Sequence, residues 1–260
     1  MTENNIKDQT GDKLSAQAPD TVEGFSEFCS FPTLEECIKA AEQGDIEAQC
    51  ELAFEYYIGE YVEKNLPEAV KWFTRAAQQG HSYAQLTLGW IYTEEKEIGL
   101  DMEKGIGYFR LAAQNGDDEA QYTLGTFYKN GEHLPQDLTE AIKWYTRAAE
   151  QGLAPAQAAL GKMYYLGHGV QQDYDEAVKW LRQATEDPDA KYYMGLCHYW
   201  GHGVEQDYTL AAGYFRDAAQ EYHTDAKYSL GVMYERGLGV EQDFEAAINC
   251  YRDAALLYGL

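Results

Sequence analysis

The sequence predicts an all-α fold built as a stack of helical hairpins, and three observations favour it. A pattern of 36 residues recurs six times, as in the steps from Ala48 to Ala84 and from Ala84 to Ala120. Repeats of about 20–50 residues are typical of stacked repeat proteins. Apolar residues within each unit follow helical spacing, and glycines and acidic residues separate the two helical stretches.

The six units cover nearly all of the chain that follows a polar head. Residues 1–24 are polar, and we expect them to be disordered. Residues 25–47 form a partial unit that is expected to cap the stack, because the ends of a repeat array need a polar cover. The fourth full unit is shorter by two residues. The predicted units span residues 48–83, 84–119, 120–155, 156–189, 190–225 and 226–260.

Each unit carries two apolar stripes at helical spacing. In the first half, Ala156, Leu160 and Tyr164 are four residues apart, so they lie on one face of a helix. In the second half, Ala141 and Trp144 begin a similar stripe that ends at a pair of alanines. The sixth position of the unit, in its first helical stretch, is small in every unit, which lets a second helix approach closely. The residues at this position are Ala53, Gly89, Gly125, Gly161, Gly195 and Gly231.

The stretch Gly167-His168-Gly169 lies between two such stripes. Gly167 follows the first stripe, where a glycine takes the left-handed conformation at low cost. Asp173 and Glu176 precede the second stripe and resemble a capping box. A phosphate-binding loop is the alternative, but no Gly-Lys-Ser/Thr follows and the caps are acidic. We therefore interpret the stretch as a turn between two helices.

The histidines of these turns raise the question of a metal site. His168 and His202 occupy the same turn position in two units, and His198 precedes His202 by four residues, which suits a metal on a continuous helix. Gly201 and Gly203 make that continuity doubtful, and no third ligand is evident. We interpret His168 and His202 as surface turn residues and His198 as a packing residue, and we expect no metal and no cofactor.

The charge and the cysteines narrow the class of partner and the compartment. The chain has 44 Asp and Glu against 20 Lys and Arg, a formal net charge of −24, which disfavours nucleic acid and anionic membranes. A basic protein partner fits this charge, and so does a role in solubility alone. No secretory signal and no apolar run long enough to span a bilayer is present, so a cytoplasmic location is expected. The five cysteines form no CxxC motif and are expected to be ordinary thiols: Cys29, Cys37, Cys50, Cys197 and Cys250.

The pattern A-x3-LG-x2-Y-x2-G-x-GV-x2-D-x3-A-x2-W-x3-AA-x2-G recurs from about Thr33 to the C-terminus. It resembles the Sel-1-like repeat family, a relative of the tetratricopeptide repeat. The unit from Ala84 departs most, because Glu95 and Glu97 replace both turn glycines and Gly105 replaces an alanine. We expect the turn of this unit to differ. The resemblance implies a right-handed α/α superhelical solenoid.

The resemblance also implies a class of function. Family members usually hold other proteins together or inhibit them, so we expect a non-enzymatic bacterial adaptor that binds a protein or peptide. A narrower alternative is an immunity or antitoxin protein that neutralises a basic toxin, steered by acidity. A secreted branch that binds or hydrolyses β-lactams pairs cysteines within each unit. That pairing is missing here, and neither Ser-x-x-Lys nor Gly-x-Ser-x-Gly occurs in the chain.

In the tetratricopeptide relatives, the first helix of each unit lines a concave groove. Aligned by the Leu-Gly markers, positions 3, 7, 10 and 11 of each unit are implied to face that groove, and they are rich in aromatic residues. Exposed aromatic side chains often carry protein–protein affinity. The C-terminal half is the expected centre, although part of the set could instead pack against neighbouring hairpins. The predicted partner-binding residues are Tyr57, Trp90, Tyr122, Tyr165, Tyr192, Tyr199, Trp200 and Tyr228.

Two further features allow more than one interpretation. Position 2 of the units forms a polar ladder that either bonds a bound peptide backbone or stays solvated, and we favour the second. The chain ends in an apolar stretch from Leu256 to Leu260, which packs onto its own last hairpin or binds a partner or a second copy. A homo-oligomer through this end is therefore an alternative. The ladder residues are Gln49, Gln85, Gln121, Gln157, Lys191 and Lys227.

Overall fold

The structure is a computed structural model that describes residues 30–257. Within this range the chain forms thirteen α-helices, one short 3-10 helix and no strand, which confirms the predicted all-α repeat solenoid. The chain divides into two compact units, Met1–Gln79 and Gly80–Leu260. The predicted polar head, residues 25–29 of the partial unit with Cys29, and residues 258–260 lie outside the described residues.

From residue 30 onward, the first unit contains three helices: α1 (Leu34–Glu42), α2 (Ile46–Ile58) and α3 (Leu66–Gln78). α2 packs against both α1 and α3. Thr33 caps α1, because its side-chain oxygen accepts a hydrogen bond from the backbone N–H of Glu36. The partial repeat thus contributes the helix α1, which packs against the first complete hairpin, formed by α2 and α3.

The second unit continues with five hairpins, in which each first helix packs against the helix that follows it. Each second helix also packs against the first helix of the next hairpin, so the five hairpins are stacked in chain order. The hairpins are α4 (Ser82–Glu94) with α5 (Met102–Gln114), α6 (Asp118–Asn130) with α7 (Leu138–Glu150), α8 (Ala154–Leu166) with α9 (Tyr174–Leu181), α10 (Pro188–Trp200) with α11 (Tyr208–Gln220), and α12 (Thr224–Arg236) with α13 (Phe244–Leu257).

The turns inside the hairpins form as predicted. Gly167 ends α8 in the left-handed conformation, with φ of 69°. Asp173 caps α9 by accepting hydrogen bonds from the backbone N–H groups two and three residues later, each at 3.0 Å. These N–H groups already have an acceptor, which agrees with a turn rather than a phosphate site. The turn after α4 differs, as expected: Glu95 is extended, and a 3-10 helix over Lys96–Ile98 follows.

The small residue at the sixth position of each unit, in the first helix, is a requirement of helix packing. A Cβ atom on Gly125 would lie 2.7 Å from the ring of Tyr145, and one on Gly161 would lie 2.7 Å from Leu181 Cγ. Tyr145 and Leu181 are both fully buried. Glycine therefore lets the second helix place a large side chain directly against the backbone of the first, which confirms the prediction.

The turns of the last three hairpins have a second glycine, Gly169, Gly203 or Gly239, which packs against the preceding hairpin, and the sequence pattern does not predict this role. A Cβ atom on Gly203 would lie 2.5 Å from the carbonyl oxygen of Tyr174, at the start of α9 in the preceding hairpin. Gly239 comes similarly close to the carbonyl of Tyr208, at the start of α11. These turns therefore seat on the second helix of the hairpin before them.

The fourth unit, shorter by two residues, changes the packing around it. α9 has only eight residues, and α10 packs against α8 as well as against α9. As a result, Lys162 on α8 and Asp189 on α10 form an ion pair, with Nζ 3.0 Å from Oδ2. The shortened unit thus brings charged residues together on the first helices.

Candidate interaction surface

The eight predicted partner-binding residues differ in how much of each side chain is exposed. Three are exposed, four are half-buried and one is buried. The exposed residues are Trp90, Trp200 and Tyr228. The half-buried residues are Tyr57, in the first unit, and Tyr122, Tyr192 and Tyr199 in the second. The buried residue is Tyr165.

Tyr165 belongs to the core between two hairpins, since only 8% of the residue is exposed. Its ring lies against those of Tyr174 and Tyr193, with centroid distances of 5.3 Å in both cases. Its hydroxyl oxygen is 3.3 Å from Nδ1 of His202. Burial raises the pKa of the Tyr165 hydroxyl above its ordinary value. The expectation that Tyr165 contacts a partner is therefore corrected: its side chain packs inside the protein.

The two most exposed of the predicted residues lie in the last two hairpins. Trp200, at the end of α10, is 58% exposed, and Tyr228, in the first half of α12, is 57% exposed. Tyr199 contacts Trp200 edge to face, with ring centroids 4.7 Å apart. We call Tyr199, Trp200 and Tyr228 the C-terminal aromatic patch. It combines large apolar area with polar ring atoms, the composition that protein interfaces favour.

A shallow apolar depression of about 150 Å³ lies between α10 and α12 beside this patch. It is open to solvent, and its wall contains neither a carboxylate nor a basic group. The ring of Trp200 forms one side of it. The lining residues are Leu196, Tyr199, Trp200, Phe215, Ser229 and Val232.

Tyr192 is half-buried by contacts with rings of its own and neighbouring helices. Its ring stacks on the imidazole of His223 at 4.6 Å and also meets the rings of Tyr193 and Phe215. These contacts take up much of the Tyr192 side chain. Tyr192 therefore supports the fold around the C-terminal aromatic patch more than it extends the exposed surface.

The glutamines of the polar ladder are structural, and both interpretations offered from the sequence were wrong. Gln121 is 4% exposed. Its amide donates to the carbonyl of Ala113, in the preceding hairpin, at 3.0 Å, and its side-chain oxygen accepts from Gln151 at 2.9 Å. Gln49 is bonded in the same way in the first unit, to Ala41 and Gln79. These amides tie helix ends together and are not available to a partner.

The lysines at the same ladder position form ion pairs. Lys191 pairs with Glu221, and Lys227 Nζ lies 3.7 Å from Asp253 Oδ2. The hydrogen bond to Glu221 raises the pKa of Lys191, although partial burial opposes it. The last two hairpins thus use charged pairs where the earlier hairpins use amides.

A larger groove of about 920 Å³ lies along α6, α8 and the start of α10, all in the second unit. Its charged centre is Asp189, which accepts from Nε2 of His223 at 3.0 Å and pairs with Lys162. The His223 hydrogen bond holds the pKa of Asp189 below its ordinary value against the effect of burial, and Lys162 lowers it further. No pattern in the sequence predicts this network. The two-residue deletion was its only visible signal.

Lys129 also lines this groove and lies near Lys162. Burial lowers the pKa of Lys129, and the neighbouring charge of Lys162 lowers it further. Burial alone would lower the pKa of Lys162 as well, but its hydrogen bond to Asp189 raises the net value. The groove therefore contains both signs of charge and is unlike the uncharged depression beside the C-terminal aromatic patch.

The turn histidines pack to different degrees. His168 is exposed, as predicted. His202 is half-buried, because its ring stacks on that of Tyr174 at 4.0 Å, so the interpretation as a plain surface residue holds only for His168. His198 stacks on Tyr214 at 5.6 Å, as expected of a packing residue. Within residues 30–257, no three His, Cys, Asp or Glu side chains converge as metal ligands would.

Trp90 and Tyr57 make contacts within their own units. Trp90 meets Phe109 edge to face at 4.8 Å. In the first unit, the ammonium of Lys64 lies 5.6 Å from the centroid of the Tyr57 ring. At the C-terminal end, Leu256 is exposed, whereas the last residues of the predicted apolar stretch lie outside the described part. Among the described helices, none combines the length and the hydropathy that crossing a bilayer requires.

Known structures share this architecture. One is the crystal structure of c5321, a protective antigen of uropathogenic Escherichia coli with an SLR fold. It is 32% identical to this chain, with a TM-score of 0.77, and the match covers 86% of this chain and 48% of c5321. A Sel1 repeat protein from Oxalobacter formigenes is 34% identical over 85% of this chain and 65% of its own, with a TM-score of 0.67. This chain therefore spans about half of the first protein and less than two thirds of the second.

A more distant structure, immunity protein Pa5087 from Pseudomonas aeruginosa, is 20% identical over 78% of this chain and 77% of its own, with a TM-score of 0.43. That similarity is too low to support an argument about function. The comparison with curated proteins finds no match.

The family model described as Sel1 repeat matches six consecutive segments: 46–81, 82–117, 118–153, 154–187, 188–223 and 224–258. Each matched segment begins two residues before the alanine that opens the corresponding predicted unit. Because these matches cover most of its length, the chain belongs to the Sel1 repeat family.

Proposed function

We propose that this protein is a non-enzymatic scaffold that binds a protein or peptide partner, and that the C-terminal aromatic patch is the centre of the contact. The observation that carries this proposal is the exposure of Trp200 and Tyr228, 58% and 57%, beside an apolar depression. Grouped exposed apolar side chains mark interaction surfaces more than single ones do, and tryptophan and tyrosine dominate the affinity of many interfaces.

The chemistry of the described cysteines supports a non-enzymatic role. Burial raises the pKa of Cys50 and of Cys197 to about 12. Both thiols are therefore protonated near neutral pH, and a protonated thiol is a poor nucleophile. A β-lactam hydrolase built on these cysteines is accordingly disfavoured.

The charge of the chain supports a basic partner. With 44 acidic against 20 basic residues, long-range attraction would raise the rate of association with a positively charged protein. Neutralisation of a basic toxin is the second candidate function, favoured by this charge. It would be supported if the product of a neighbouring gene were toxic and this protein abolished the toxicity. We also propose a cytoplasmic location, as expected from the sequence.

The last helix, α13, carries exposed apolar side chains through which two copies of the chain could associate. Phe244, Ile248 and Leu256 on α13 are all exposed. In this proposal a homo-oligomer forms through α13, and substitution of Phe244 and Ile248 by serine would shift the molar mass measured by light scattering to that of a monomer. A wild-type protein that is already monomeric would refute this part of the proposal.

The main proposal is tested by removing the patch and measuring what the protein still binds. We expect the double variant Trp200→Ala and Tyr228→Ala to bind its partner roughly tenfold or more weakly, because hot-spot side chains each contribute about 2 kcal/mol or more. Affinity capture from the native host, quantified by mass spectrometry, identifies the partner, and calorimetry then gives the dissociation constant.

Tyr83→Ala is the matched control, because Tyr83 is another exposed aromatic residue, on α4. Its removal should leave binding unchanged. Equal capture by the wild type and the double variant, with both folded by circular dichroism, would exclude the patch as the binding centre.

A further inference from the structure

The tryptophans on the second helices are each covered by a cation from their own helix. The guanidinium carbon of Arg75 lies 4.3 Å from the centroid of the Trp72 ring, and that of Arg147 lies 4.7 Å from Trp144. Lys179 Nζ lies 5.6 Å from the ring of Trp180. A cation over an indole face is attracted by the negative charge of the π system. The chain thus supplies its own cation to three of its five tryptophans.

Trp200 differs from these three residues. It is the most exposed tryptophan in the described part, and its ring contacts that of Tyr199 edge to face. No lysine or arginine lines the depression that its ring borders. More than half of Trp200 is exposed and no cation of the described residues covers its ring, so a cation from outside the chain can reach it.

The charge around the patch favours such a cation. Residues 188–257, the last two hairpins, contain eleven Asp and Glu against five Lys and Arg. Two of these five bases, Lys191 and Lys227, are already paired with Glu221 and Asp253. The local field is therefore negative, as is that of the whole chain, and a negative field concentrates positive groups near the surface.

The size and the lining of the depression select a single long side chain. Its volume of about 150 Å³ is below the range of small-molecule sites, which begins near about 300 Å³. Leu196, Phe215 and Val232 offer apolar contact for an aliphatic stem. The depression contains no carboxylate to hold the strongly hydrated ammonium of lysine. A planar guanidinium is less hydrated and stacks on aromatic faces, so arginine fits better.

We infer that the C-terminal aromatic patch recognises an arginine side chain of the partner, whose guanidinium stacks on Trp200 while its stem lies in the depression. This inference rests on the proposed function, since it names the chemistry of the partner at the same surface. Deprotonated acidic residues and uncharged side chains of similar shape would bind more weakly.

The test uses two small probes that differ in charge but have nearly the same shape: N-acetyl-arginine amide and N-acetyl-citrulline amide. The full chain is titrated with each while nuclear magnetic resonance follows the five tryptophan indole N–H signals, with Trp200 assigned from a Trp200→Phe variant. We expect arginine to shift the Trp200 signal saturably and about two- to fivefold more tightly than citrulline, the range of an exposed cation–π contact. N-acetyl-glutamate amide should produce no saturable shift.

Two variants check the assignment. In Trp200→Leu, which keeps an apolar side chain, the methyl signals of Leu196 and Val232 should respond equally to arginine and citrulline. In Tyr83→Leu, the preference for arginine should be unchanged. Equal binding of arginine and citrulline to the wild type, or no saturable shift at Trp200, overturns the inference.

These outcomes separate the inference from the proposed function, because the probes do not require the natural partner. If capture of a partner depends on Trp200 but arginine is not preferred over citrulline, the binding surface stands and its arginine specificity fails. If arginine is preferred but the double variant Trp200→Ala and Tyr228→Ala captures the same proteins as the wild type, the chemistry of the patch stands and its role as the binding centre fails.

Discussion

Gln121 and Lys191 occupy the same position in two hairpins of the second unit, and each ties its first helix to the end of its own second helix. Gln121 is buried and uses neutral amide hydrogen bonds to Ala113 and Gln151. Lys191 is 15% exposed at its side chain and pairs with Glu221. A charged group is costly to bury, so the lysine version leaves its partner partly in water. The repeat thus conserves the connection between the helices while the chemistry of the connection changes.

The change falls at the shortened unit. Gln157 still donates to the carbonyl of Ala149 at 3.1 Å. The second partner of Gln121, Gln151, lies thirty residues after it. Thirty residues after Gln157 the chain instead has Asp187, which caps α10 by accepting a hydrogen bond from the backbone N–H of Ala190. The Lys162–Asp189–His223 network connects the neighbouring first helices there. Three predictions test how these three kinds of connection differ.

Replacing the buried glutamine should have the largest effect. Gln121→Leu removes two hydrogen bonds, the donation to the Ala113 carbonyl and the acceptance from Gln151, while that carbonyl keeps the backbone N–H of Gly116. Each hydrogen bond contributes about 0.5–1.5 kcal/mol. We expect the free energy of unfolding to fall by about 2 kcal/mol, measured by urea titration followed by circular dichroism. The effect should not depend on salt.

Gln151→Ala is the control, because Gln151 is exposed and only one of the two hydrogen bonds is lost. It should cost less than half as much. If Gln121→Leu unfolds at the same urea concentration as the wild type, the buried ladder does not hold the hairpins together.

The Asp189 network should have an intermediate, pH-dependent effect. The folded pKa of Asp189 is lowered, chiefly by the His223 hydrogen bond. Its contribution is therefore complete above the unfolded pKa of about 3.9 and is lost as the pH falls below that value. We expect Asp189→Asn to lower the free energy of unfolding by about 1 kcal/mol at neutral pH, a value reduced by the partial exposure of the carboxylate.

The difference between Asp189→Asn and the wild type should shrink in urea titrations below pH 4, because the carboxylate of the unfolded chain binds a proton there while the folded one still resists it. Asp217→Asn, an exposed change on α11, should show no such trend. A difference that stays constant from neutral pH to pH 3 would contradict the role of the Asp189 charge.

Removing the exposed ion pair should have the smallest effect. Lys191→Met keeps the aliphatic stem and deletes the charge, while Glu221 can regain water. Partly exposed ion pairs contribute about 0.2–1 kcal/mol, and salt screens them. We expect a loss within this range that diminishes in about 1 M sodium chloride. A loss of stability as large as that of Gln121→Leu, or one insensitive to salt, would show that the ion pair and the buried amide hydrogen bonds do not differ as proposed.

The sequence predicted most of the features that depend on local patterns. The helical stripes, the turn at Gly167, the cap at Asp173 and the altered turn after Glu95 all formed as expected, because each depends on residues close in the chain. The exposure of Trp200 also agreed with the expectation from the family resemblance.

Features that depend on contacts between hairpins were not predicted. Gln121 looked like a solvated polar residue, since its bonding partners are eight residues before it and thirty residues after it. Tyr165 fitted the aromatic pattern, but its burial depends on Tyr193 in the next hairpin. His223 and Asp189 meet across 34 positions. Spacing within one repeat cannot reveal how neighbouring repeats face each other.

The glycines that seat turns on preceding hairpins have a consequence for biosynthesis. The partner of Gly203 is Tyr174 and that of Gly239 is Tyr208, so in both cases the partner is earlier in the sequence. During translation, each of these loops leaves the ribosome when the helix that receives it has already been made. Growth of the fold can therefore follow synthesis from the N-terminus, one module at a time, without waiting for residues still to be translated.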